Sequence, residues 1–224
     1  MANLIIRPAS GAGNKVVVQD QAGGAVITTV DSGATIANAT INSPTLVTPA
    51  LGTPASGVLT NATFPAGHIL QTLSGVKTNT FTTQAGYNDG SGGDTIPGLS
   101  VTITPASTSN KILVTTHLNG AHAFNTNRVI ATLYRGTTKI AVGDSAGVRQ
   151  QVTGGFAGAH ATIIHNPITI TFLDSPSSTS ALTYTWKIGT HGSGTAYVNR
   201  SEADGNETEG GRTMSAITVQ EIQG

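Results

Sequence analysis

The chain has 224 residues, equal numbers of basic and acidic side chains (11 each), and no cysteine. Zero net charge lacks the cationic footprint of a nucleic-acid binder, and the missing thiols exclude disulfide frameworks, thiolate metal sites and cysteine nucleophiles. Charged residues are 10% and aromatics 4% of a Gly-, Thr-, Ser-, Ala- and Asn-rich chain, which suits close-packed β structure better than an enzyme with a cleft, while regular aliphatic strands at low net charge argue against disorder.

Residues 1–33 read as a small β unit. Leu4-Ile5-Ile6, Val16 to Gln19 and Ala25 to Val30 are β-branched runs, and Asp20 to Gly24 is the turn signal between the last two. A lone hairpin is marginal in water and needs a partner surface, so this unit is a candidate anchor. The apolar run Leu4-Ile5-Ile6 stops at Arg7-Pro8; it is too short for a signal-peptide core or a membrane span, so the chain is expected to be made in a cytoplasm without membrane insertion.

Residues 34–63 form the next segment, in which the sequence repeats every five residues from Thr35 to Pro54. Ile36, Ile41, Leu46 and Leu51 supply one large aliphatic per block, and Pro44, Pro49 and Pro54 keep the same register. Proline at that spacing excludes a continuous helix, and a period of five fits neither 3.6 nor 2. One aliphatic per block cannot repay an ordering cost of roughly 1–2 kcal/mol per residue in a single copy. The segment is therefore expected to be an intertwined, trimeric shaft with those four side chains stacked near a common axis.

All ten aromatic residues lie at or beyond Phe64, and no charged residue occurs between Ser32 and Val76. The conventional core is thus expected in residues 64–224, where strands are predicted at 68–74, 79–83, 96–104, 111–118, 128–134, 138–142, 160–173, 181–188, 195–200 and 212–222. The alternation of Leu182, Tyr184, Trp186 and Ile188 against Thr183, Thr185 and Lys187 assigns one face to a core. Pro167 is expected to bend or break the 160–173 strand. About ten short strands and no helical periodicity predict an antiparallel sandwich.

The shaft phrase from Pro44 to Asn61 resembles the repeats of tailed-bacteriophage fibre proteins, and Ala2 to Pro8 resembles the start of such virion proteins. Ser109-Asn-Lys-Ile-Leu-Val114, Leu133-Tyr-Arg-Gly-Thr137, Phe172-Leu-Asp-Ser-Pro176, Asn199-Arg-Ser201 and Ile217-Thr-Val-Gln-Glu-Ile222 are similar to phrases in the trimeric jelly-roll heads of that class. The resemblance implies an all-β homotrimeric tail or head fibre, exposed on the virion, with a jelly-roll head. It would attach by residues 1–30 to a capsid or tail protein.

Chemical motifs are few. Gly143-Asp-Ser-Ala-Gly147 fits G-x-S-x-G, but a nucleophile elbow needs a strand-turn-helix, a histidine and an acid brought to it, and no helix is predicted. His117 with His122, and His160 with His165, are spaced i,i+5 and would face opposite sides of a strand, so no metal site is assigned. Asp89 to Asp94 and Glu202 to Glu209 are acidic enough to consider calcium, but position twelve from Glu202 is Thr213 rather than a carboxylate. No cofactor is expected. A depolymerase acting on surface glycan would want paired carboxylates in a groove, and acids are scarce here.

Host contact is expected instead from long loops carrying aromatic and amide side chains, because sugars present apolar faces and hydroxyls. Tyr87, Asn88 and Asp89 in loop 84–95, and His122, Phe124 and Asn125 in loop 119–128, are the candidate glycan-binding residues. A capsid decoration without receptor binding is the alternative.

Overall fold

The computed structural model describes residues 17–19, 21–22, 25–30, 33–36, 65–87, 92–122, 128–156, 165–191, 194–206, 208 and 210–224. The chain divides into two compact units, Met1–Thr60 and Asn61–Gly224.

In the first unit, β1 (Val17–Gln19), β2 (Ala25–Val30) and β3 (Gly33–Ile36) form an antiparallel sheet in that order. The predicted hairpin is present, with Val18 opposite Ile27. The third strand was not expected. Ile36 stands in β3 opposite Ile27, so the block assigned to the start of the shaft is paired into this sheet. Val30 and Gly33 are partners across a two-residue connection, a length that favours hairpin closure over continued extension. Ile41, Leu46 and Leu51 lie outside the described residues, as do Leu4-Ile5-Ile6.

The second unit is a sandwich of two antiparallel sheets, consistent with a jelly roll, and no helix occurs among its described residues. One sheet has the order β10 (Gly154–Phe156), β8 (Val129–Arg135), β12 (Leu182–Thr190), β6 (Asp94–Ile103), with β9 (Thr138–Ile140) on β8. The other has the order β4 (Ile69–Lys77), β14 (Ser215–Ile222), β7 (Lys111–His122), β13 (Ala196–Val198), β5 (Phe81–Thr83), with β11 (Asn166–Asp174) on the far side of β7. Nine of the ten predicted strands have counterparts within a few residues of their expected bounds. Of the 160–173 prediction, residues 160–164 lie outside the described residues, and β11 begins at Asn166 with Pro167 as its second residue. β11 pairs with β7 alone, and an edge strand tolerates the missing proline donor. β10 carries too few apolar residues to have been signalled.

Alternation fills the space between the sheets. Ile96, Leu99, Val101 and Ile103 of β6, Tyr184, Trp186 and Ile188 of β12, Ile112, Val114 and Leu118 of β7, and Ile217 and Val219 of β14 are all buried. Their opposite neighbours are mostly Thr, Ser and Lys. Close approach at the seam is possible because Gly75 of β4 has no side chain: a Cβ there would collide with the Ser100 carbonyl of β6.

Three polar devices tie the layers together. The Trp186 indole donates to the Thr116 hydroxyl at 2.8 Å, which donates in turn to the Ala216 carbonyl at 2.8 Å, crossing from one sheet to the other. Asp174 of β11 accepts from Arg135 of β8 at 2.6 Å and from the Tyr184 hydroxyl at 2.7 Å. Burial, reinforced by the hydrogen bond to Asp174, pushes the Tyr184 phenol far above its usual pKa. Glu221 is buried and accepts from Asn110 Nδ2 and Gln71 Nε2 at 2.5 Å and from the Ala106 backbone N–H at 2.7 Å.

Burial alone would push the Glu221 carboxyl pKa up, but the Asn110, Gln71 and Ala106 donors together hold it below the ordinary value. A depressed folded-state pKa means stability that is complete above the unfolded value of about 4.3 and is lost as pH falls through the folded value. Urea midpoints of the second unit, followed by Trp186 fluorescence, are therefore expected to drop from pH 6 to pH 3. Glu221→Gln should cost roughly 1.5–3 kcal/mol at pH 7 and flatten that acid-side fall. An equally steep fall in the variant would assign the acid sensitivity to other groups.

Candidate functional site

Strand register defines two ends of the sandwich. The Gly67 N–H donates to the Gln223 carbonyl at 2.7 Å, and Ile69, Ile222 and Lys111 follow in register. This end, where residues 65–68 lead into the sandwich and the chain terminates, is called proximal. His122, Asn166, Asp94, Thr190 and Val129 stand at the opposite, distal end, since Asn166 pairs with Gly120, Ile188 with Asp94 and Thr190 with Val129. The strands flanking loops 84–93, 123–128, 157–165 and 191–195 all finish there, so both loops predicted to contact the host leave from the same end of the sandwich.

At this end a cleft of about 560 Å³ is bordered by Tyr87, Arg128, Ile130, Val148, Arg149, Gln150, Val152 and His191. Its walls come from four separate stretches of chain. Tyr87 is held by its N–H on the Thr190 carbonyl at 3.2 Å, and the Thr190 N–H returns to the Ala85 carbonyl at 2.8 Å. Asp94 at the start of β6 accepts from the Thr83 hydroxyl at 2.5 Å, and that hydroxyl oxygen accepts from the Ala85 N–H at 2.9 Å. Gly93 completes the support: at φ +86 it lies against the Ile188 carbonyl where any Cβ would collide. The Tyr87 ring is 7% exposed and its centroid is 6.0 Å from that of His191, tilted 47°. The His191 N–H donates to the Arg128 carbonyl at 3.0 Å, and the Arg149 N–H closes a turn on the Ala146 carbonyl at 3.1 Å.

The cleft's chemistry is cationic and apolar together. Two guanidinium groups and an imidazole border it, no carboxylate among the described residues does, and Ile130, Val148 and Val152 supply aliphatic wall. Val148 is 99% exposed. Lys187 lies 4.9 Å above the Tyr134 ring on the outer face of the neighbouring β12–β8 pair.

Of the residues predicted to touch glycan, Tyr87 borders the cleft but is mostly buried, as packing against Gly189 and His191 requires. His122 is the last residue of β7, and its side chain, with Asn88, Asp89, Phe124 and Asn125, lies outside the described residues. The sequence reading missed Arg128, Arg149, Gln150 and His191. Arg149-Gln150 stood beside the G-x-S-x-G phrase, and only tertiary contact brings it to Tyr87, so the one available signal was two arginines at loop ends in a chain poor in charge.

The other motifs resolve simply. Ser145 is exposed in a loop, and among the described residues its hydroxyl has no hydrogen-bond partner that would activate it. Asp204, central to the acidic loop, is engaged by Arg200 at 3.2 Å and Arg212 at 2.6 Å, so its carboxylate is already neutralised. Among the described residues, no cluster of three or more His, Asp or Glu side chains is placed to hold a metal. His117 is occupied by Thr169 at 3.1 Å and Asn119 at 2.6 Å.

No family model matches the chain, and no curated protein matches it. Among solved structures it is similar to a chain of the T13 infectious bursal disease virus particle, with 14% identity over 89% of this chain and 48% of that one and a TM-score of 0.36. It is also similar to one of the Gx strain of that virus (17%, 78% and 41%, TM-score 0.32) and to the virus's VP2 subviral particle (16%, 78% and 43%, TM-score 0.34). The chain spans about half or less of those matched chains. At TM-scores this low the likeness carries no argument about what the chain does.

Proposed function

We propose that this chain is a non-enzymatic, structural virion component: a homotrimeric appendage of a tailed phage, held to a capsid or tail protein through residues 1–30, whose C-terminal sandwich attaches to a glycan on the host surface. The period-five segment and the phage-fibre phrases motivate the assembly. The observation that carries attachment is the cleft at the distal end, on the side of the sandwich opposite to residues 65–68. An appendage is anchored through the chain that leads into its head, so the far end is the surface free to meet a cell. Single contacts through polar loops are weak, and three copies on one axis would gain by avidity.

Light scattering after size exclusion is expected to give three times the chain mass, and the labelled full-length protein is expected to adhere to host cells. A monomer at micromolar concentration removes the assembly reading. Binding to bare capsids with none to cells replaces attachment by capsid decoration, the reading favoured by a repeat segment that spans at most about 100 Å when fully extended. Release of reducing ends from host glycan on incubation with the protein would replace both by a depolymerase.

A further inference from the structure

We infer that the distal cleft recognises a carboxylate-bearing sugar, with Arg128 and Arg149 gripping the carboxylate and the Tyr87, Ile130 and Val148 side receiving the apolar face of the ring. The inference deepens the attachment reading by naming the ligand class of the same site. Its first support is the pairing state of the arginines. Arg135 is paired with Asp174, and Arg200 and Arg212 share Asp204. Among the described residues, Arg128 and Arg149 are the two arginines without an ion pair, and both border this cleft. Among the described residues, two guanidiniums without an acidic partner border one cavity that no described carboxylate borders, so the counter-charge is assigned to the ligand.

The choice among anions follows from the rest of the wall. A planar guanidinium matches a carboxylate through two parallel N–H donors. Phosphate would satisfy the charges but make no use of the aliphatic wall or of Val148, which is 99% exposed beside them. A sugar acid uses both halves, and the Gln150 amide adds a donor and an acceptor for ring hydroxyls. The volume of about 560 Å³ lies inside the range of about 300–1,000 Å³ for small-ligand sites. The Tyr87 and His191 backbones are held to neighbouring elements by the hydrogen bonds described above, while Arg149 stands on a local turn.

The test is calorimetric titration of the full-length protein with galacturonate, the methyl ester of galacturonic acid, galactose and inorganic phosphate. Galacturonate is expected to bind at least about tenfold more tightly than the ester, galactose or phosphate, and Arg128→Ala with Arg149→Ala is expected to remove at least that factor. Both side chains are exposed, so circular dichroism should show an unchanged fold; Arg128→Lys with Arg149→Lys, which keeps charge but loses the fork, should bind galacturonate at an intermediate level. Equal binding of acid and ester, phosphate binding as tight as galacturonate, or undiminished binding by the double alanine variant overturns the inference. Host-cell adhesion read in parallel separates the two readings. Adhesion that persists while galacturonate fails sinks the sugar-acid inference and leaves attachment standing, whereas absent adhesion with galacturonate bound sinks attachment alone.

Discussion

Asp174→Ala is expected to destabilise the C-terminal unit by about 3–5 kcal/mol, the cost of removing one partner from a buried ion pair and leaving the other uncompensated. Asp174 is 5% exposed and serves two donors from the opposite sheet, the Arg135 guanidinium and the Tyr184 hydroxyl. Without it a partly buried cation and a fully buried phenol both lose their acceptor. For a unit of this size the melting temperature should fall by roughly 6–20 °C. Trp186 is the sole tryptophan and sits in the core, so its fluorescence reports the transition. The apolar triple variant Arg135→Met, Asp174→Leu, Tyr184→Phe is expected to regain most of the loss, because buried pairs contribute little net stability over well-packed hydrophobic replacements. A loss below about 1 kcal/mol in Asp174→Ala would mean that water reaches the pair and that it does not link the sheets.

Trp186→Ala should cost a similar about 3–5 kcal/mol for a different reason, the cavity left by the largest fully buried side chain. The variant also leaves the Thr116 hydroxyl without its indole donor, although that hydroxyl keeps its own bond to the Ala216 carbonyl. Trp186→Phe separates the two contributions, since it retains most of the apolar volume while deleting the N–H; a much smaller loss than in the alanine variant is expected from urea unfolding followed by far-ultraviolet circular dichroism. Comparable losses in both variants would make the indole hydrogen bond, rather than volume, the dominant contribution.

The neighbouring positions show why one of these sites was legible in sequence and the other was not. Leu182, Tyr184, Trp186 and Ile188 alternate with polar residues, and side-chain direction in a strand has period two, so the inward face of β12 follows from spacing alone. That rule has no means of pairing Asp174 with Arg135, which stand 39 residues apart; that partnership exists only because β11 and β8 belong to different sheets packed face to face. Glu221 is a similar case. In sequence it is one acid in a terminal strand, and in the fold it receives donors from Gln71, Ala106 and Asn110.

The cleft divides in the same way. Composition and loop length marked Tyr87 and the loop before residue 128, because aromatic and amide residues in long polar segments carry their own signal. Arg149 and His191 carry no signal of their partnership with Tyr87, lying 62 and 104 residues beyond it in the numbering of the chain. They reach it because β8 and β12 pair so that Val129 meets Thr190 at the distal end, while residues 146–149 turn back beside them.

By itself, then, the sequence determined what depends on neighbours along the chain: all-β character, the β1–β2 hairpin, the inward face of β12, and the change in composition near residue 64. Tertiary structure decided which strands share a sheet, that Gly33–Ile36 pairs back onto β2, which end of the sandwich gathers the loops, and which cations are left without acids. The first group rests on backbone periodicity and turn chemistry, which are local. The second rests on contacts across tens of residues, whose partners are selected by packing and charge only after the sheets have met.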